Sequence, residues 1–162
     1  MNWEELYSMQ QSLDNHIESN HQLKNQDLFQ EKYLALLVEL GELANETRCF
    51  KFWSNKSRNN NDIILEEYVD GLHFILSLGL EKGYRYTSRN LSELTRAAET
   101  EQFNIVFESC INFYKNVSKE TYEQLFMNFL LLGEVLGFSE SDIQVAYYKK
   151  NEINFERQNK GY

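Results

Sequence analysis

A chain of 162 residues, 42% hydrophobic and 14% aromatic, is one domain's worth of sequence with apolar mass enough for a core. A formal net charge of −9 excludes broad binding to the phosphate backbone of a nucleic acid, and no apolar run is long enough to span a membrane. With no proline and only seven glycines, the chain lacks the turn residues that a β-rich fold of this length needs, which favours long helices with few connections.

Apolar groups at Trp3, Leu6, Met9, Leu13 and Ile17 recur at spacings of three and four and predict a first helix over about residues 3–16. The polar stretch 18–27 reads as a loop or frayed end. Leu28 and Phe29 with the run 33–43 form a second helix, apolar on more than one side and therefore central. Residues 54–61 are a solvated polar loop, with Asp62 the expected N-cap of a third, strongly apolar helix over 63–80. Gly79 and Gly83 lie near its end, where glycine suits a helix stop. Helical periodicity returns over 91–98, 103–114 and 122–136, with Ser118 placed to cap the last of these. Ser139, with Asp142 three residues on, resembles a capping box that opens a final helix to about Phe155. No repeat or linker divides the chain. The expectation is a single all-α domain over 1–162, a bundle of five to seven helices.

Cys49 and Cys110 have no paired spacing, so they make neither a zinc motif nor a disulfide framework. Reduced thiols, and a start without a basic region followed by an apolar run, predict a cytoplasmic protein with no signal peptide.

The chemistry concentrates in four carboxylates. Glu39 and Glu42 form an E-x-x-E pair, Glu67 and Asp70 an E-x-x-D pair, and on a helix positions i and i+3 share a face. Both pairs sit in apolar helices without basic residues at matching positions. Ionised carboxylates in such surroundings need compensation, and a hard cation such as Mg²⁺ or Mn²⁺ provides it through oxygen ligands. A bound cation also reverses the local field, so the acidic surface does not exclude a small anionic ligand.

The two pairs together are similar to the signature of the all-α nucleoside triphosphate pyrophosphatases, the MazG-like superfamily. Residues 39–46 followed by Lys51-Phe52-Trp53 resemble the second motif of the dimeric all-α dUTPases, and residues 67–74 resemble the third. Residues 10–14 (Gln-Gln-Ser-Leu-Asp) resemble the first motif, and residues 147–162 the last. The matches run in family order from near the N-terminus to the final residue.

This resemblance implies hydrolysis of dUTP to dUMP and pyrophosphate by water attack at the α-phosphate. Glu39, Glu42, Glu67 and Asp70 would hold Mg²⁺, more than one ion per site, with Glu39 or Glu42 also orienting or deprotonating the water. Gln11, Asp14 and Trp53 would meet the base, although relatives commonly carry Asn where Asp14 stands. Phe74 would pack on the deoxyribose and leave no room for a 2′-hydroxyl, with His73 near the sugar. Lys150, Asn154, Arg157, Lys160 and Tyr162 would clamp the phosphates; the first three recur at spacings of four and three and share a helical face. A homodimer is implied, with the aromatic segments 103–114 and 126–132 in its core and interface. Two other readings compete: a pyrophosphatase preferring dCTP or several nucleotides, and a helical interaction module without catalysis.

Overall fold

The three-and-four spacings become six helices in the computed structural model, which describes residues 1–87 and 96–161; among these residues there is no strand. They are α1 (Trp3–Asn20), α2 (Phe29–Thr47), α3 (Asn61–Lys82), α4 (Glu99–Lys115), α5 (Lys119–Leu136) and α6 (Glu140–Asn159). The helix expected over 91–98 falls mainly outside the described residues, and 96–98 lead into α4 without helical structure.

α3 is the hub. It packs against α1, α2, α5 and α6, and buries Ile64, Tyr68, Val69, Leu72, Ile75, Leu76 and Leu78. A helix apolar on several sides finds its lowest free energy where neighbours cover all of them. α4 and α5 form an antiparallel pair closed by Phe103, Val106, Cys110 and Phe113 against Leu125, Phe126, Phe129 and Leu132. Segments 103–114 and 126–132 therefore supply core, as their composition suggests.

Close approach of α3 and α5 depends on glycine. A Cβ at Gly133 would lie 2.6 Å from the Tyr68 hydroxyl, and one at Gly79 would lie 2.2 Å from that of Tyr122. Gly79 thus belongs to the helix interior and not to its stop. Gly83 is the stop, with φ of 71° in the left-handed region. Tyr68 donates to the Phe129 carbonyl at 3.1 Å, and the Tyr7 and Tyr122 hydroxyls meet at 2.7 Å. These bonds satisfy the polar tips of fully buried rings.

Ends follow local chemistry. Ser118 with Thr121, and Ser139 with Asp142, both form reciprocal capping boxes. The start of α3 differs from expectation: Asn60 is the N-cap and makes no side-chain cap bond, while Asp62 sits in the first turn. α1, α2 and α6 each extend at least three residues beyond the predicted ends, because polar residues in a final turn remain helical as long as no proline or cap stops them. The result brings α1, α2, α3 and α6 around one cavity.

Candidate active site

Glu39 of α2 and Glu67 and Asp70 of α3 come together. Each offers a carboxylate oxygen, and the three atoms lie within 4.8 Å of one another. Helix geometry puts Glu67 and Asp70 on one face, and the α2–α3 packing aims Glu39 at them. Glu42, one turn further along α2, is exposed and lies outside this trio. Burial, then the charges of Asp70, Glu42 and Glu67, raises the Glu39 carboxyl to about 7. Burial, then Asp70 and Glu42, raises Glu67 to about 6. Like charges this close resist joint ionisation, so the site favours a proton or a cation.

Sequence spacing gave these carboxylates no basic neighbour on their own helices. The fold supplies one from α6. The buried Lys150 ammonium lies 2.6 Å from Asp70 and 2.8 Å from Glu66. Burial opposes the Lys150 charge, but the bonds to Asp70 and Glu66 outweigh it and hold the amine above its ordinary value. Lys150 is thus engaged with carboxylates in this structure, where the sequence suggested a phosphate contact. Hard oxygen donors, half-buried and mutually repelling, fit a divalent ion.

Beside the trio opens a cavity of about 510 Å³. Its walls include Glu39, Asp70, His73 and Phe74, with Lys32 of α2 and with Lys150, Asn154 and Arg157 of α6. The shared face of Lys150, Asn154 and Arg157 therefore borders the cavity, with Lys150 buried and Arg157 exposed. The cavity's buried lining residues Gln10, Asp14, His73 and Ser77 belong to a polar network. Asp14 accepts from Gln10 Nε2 at 2.8 Å and from the Ser77 hydroxyl at 2.6 Å. The Lys32 ammonium is 3.9 Å from Asp14, 3.8 Å from Glu18 and 2.6 Å from Glu81. Burial raises the Asp14 carboxyl, and Ser77, Gln10 and Lys32 pull it back. Gln10 Oε1 meets His73 Nδ1 at 2.7 Å and the Tyr147 hydroxyl at 2.8 Å. Tyr147 stacks on His73 with centroids 4.2 Å apart.

Several expected contacts lie elsewhere. Gln11 is exposed and bonds Asn15; Gln10 faces the cavity in its place. Trp53 stands 65% exposed beside Phe50 and Phe52 on the α2–α3 loop, outside the cavity lining. Lys160 is exposed and pairs with Glu156. Tyr162 lies outside the described residues. Gln10, Lys32 and Ser77 were missed by sequence reasoning. The available signal was spacing: Tyr7, Gln10 and Asp14 continue one buried stripe of α1, and Ser77 follows His73 by four residues on α3.

No curated protein sequence matches the chain. A family model described as dUTPase matches residues 2–162, from the N-cap of α1 to the last residue. The chain therefore belongs to the dUTPase family, and dUTP hydrolysis is its activity.

Proposed function

We propose that the protein cleaves dUTP to dUMP and pyrophosphate in a Mg²⁺-dependent reaction, by water attack at the α-phosphorus. The observation that carries this reading is the acidic trio beside a 510 Å³ cavity lined by Lys32, Lys150 and Arg157. The base and sugar go to the part of the cavity lined by Asp14, His73 and Phe74, and the triphosphate lies toward the trio. Glu39, Glu67 and Asp70 would hold a divalent ion, which would supply Lewis acidity and offset charge on the triphosphate. Lys150, Asn154 and Arg157 line one side of that region and meet the phosphate oxygens, Arg157 through its planar fork of donors. Lys150, paired with Asp70 and Glu66 here, would turn to a phosphate oxygen once Asp70 served as a ligand. Glu42, close enough to raise its acidic neighbours yet outside the trio, accepts the proton of the attacking water. Phe74 walls the sugar side of the cavity.

A homodimer belongs to the same reading. α2 and α4 pack together and expose Leu34, Val38 and Ile111, apolar surface that a second copy would cover. Trp53 and Lys160 act on substrate only if the partner copy or a closed tail brings them in.

Activity measured on dUTP, dCTP, dTTP and UTP with Mg²⁺ tests the proposal, with release of pyrophosphate scored against inorganic phosphate. dUMP and pyrophosphate as sole products, lost in EDTA, is the expected result. Release of γ-phosphate, or preference for dCTP with dUTP ignored, would overturn it.

A further inference from the structure

Lys150 is buried, yet it borders two different spaces. One is the cavity of about 510 Å³, which Asp70 also lines. The other is a groove of about 470 Å³ between α3 and α6, which Glu66 also lines. Asp70 does not line the groove, and Glu66 does not line the cavity. The ammonium therefore stands in a wall with a carboxylate on either side, Asp70 at 2.6 Å and Glu66 at 2.8 Å. Helical spacing of four brings both carboxylates of α3 to the same amine. They are not equivalent. Asp70 belongs to the trio with Glu39 and Glu67, whereas Glu66 is exposed and lies outside it.

A divalent ion in the trio and the Lys150 ammonium draw on the same Asp70 carboxylate, and each positive charge weakens the hold of the other. A buried ammonium stripped of every carboxylate is costly. Without nucleotide no phosphate is present to receive it, so Glu66 is the one carboxylate of the pair that remains. We propose that Glu66 is a positioning residue for the metal centre: it keeps the Lys150 ammonium partnered when Asp70 turns to a divalent ion, and so sets how tightly the trio holds that ion. The proposal rests on the reading of the trio as the ion site. Glu66 acts through Lys150 and touches neither the ion nor the nucleotide. The E-x-x-D spacing of Glu67 and Asp70 passes over it.

The test is the affinity for Mn²⁺ alone, without nucleotide, with the free ion followed by electron paramagnetic resonance. It is run as a double-mutant cycle of Glu66→Gln and Lys150→Met, each variant checked for helical circular dichroism. Gln keeps the length of the Glu66 side chain and removes its charge. Glu66→Gln is expected to weaken Mn²⁺ binding roughly tenfold or more in the unsubstituted background, and less than about threefold beside Lys150→Met, where no ammonium is left to hold. Lys150→Gln replaces Lys150→Met if the latter does not fold. Equal losses in both backgrounds overturn the proposal, since Glu66 would then act through its own field. Unchanged affinity in Glu66→Gln overturns it whatever the Lys150 variants do, and makes the contact a surface ion pair of small worth. Glu67→Gln separates this from the reading of the site. Mn²⁺ affinity left unchanged by Glu67→Gln would overturn the trio as the ion site. Loss in Glu67→Gln with none in Glu66→Gln would overturn the role of Glu66 alone.

Discussion

Replacing Glu39 by Gln should stabilise the metal-free protein while abolishing its activity. In the folded chain the Glu39 carboxyl is raised from 4.5 to about 7, first by burial and then by Asp70, Glu42 and Glu67. A carboxyl raised on folding binds more protons in the native state than in the unfolded one. Its contribution to stability therefore falls as pH rises from 4.5 to about 7 and is flat above. At 1.36 kcal/mol per pH unit the ionised group costs about 3 kcal/mol at pH 8, and partial exposure trims this to roughly 1–3 kcal/mol. Gln keeps the size and removes the charge. For a domain of this length that amounts to a rise in Tm of roughly 3–10 °C. The assay is thermal unfolding in EDTA at pH 8 and again at pH 5, where Glu39 is protonated in the native state and the gap should shrink to a fraction. Adding Mg²⁺ at pH 8 should raise Tm for the parent protein more than for Glu39→Gln, because a ligand stabilises only the state that binds it. A Glu39→Gln variant that melts below the parent at pH 8 in EDTA, or a gap equal at both pH values, refutes the reasoning.

Glu42→Gln should lower kcat by about 10²-fold or more while the Mg²⁺ affinity, followed by calorimetry, stays near that of the parent; loss of metal binding would move Glu42 into the ligand set. Gly133→Ala places a Cβ 2.6 Å from the buried Tyr68 hydroxyl and should cost about 2–3 kcal/mol in urea unfolding, since the ring has no free space to retreat into. Ser139→Ala removes a reciprocal capping box at the start of α6 and should cost about 1 kcal/mol, read as a lower urea midpoint with unchanged slope.

The α2–α3 loop adds exposed aromatic residues to the exposed apolar side chains of α2 and α4. Phe52 at 94% exposure and Trp53 beside it are unusual for a solvated loop. Light scattering on the protein, with and without nucleotide, would report whether a second copy covers them.

Helix content and the acidic faces were written in the sequence by itself. Periodicity at three and four is a local property, and it placed Glu67 and Asp70 on one face of α3 and Lys150, Asn154 and Arg157 on one face of α6 without any tertiary information. The serine caps at 118 and 139 were local as well, each formed by residues three apart. Choices between neighbouring helix faces were different. Gln10 and Gln11 both lie within a turn of Asp14, and spacing accepts either; the packing of α1 against α3 and α6 buries Gln10 and leaves Gln11 in water. Trp53 stands on a loop, where no periodicity constrains direction. The ammonium that compensates Asp70 comes from α6, eighty positions along the chain, and Lys32 meets Asp14 and Glu81 from a third helix. Helix geometry fixes which side chains travel together. Only the burial of one helix against another decides which of those sets meet, because that choice is made by the whole apolar surface at once.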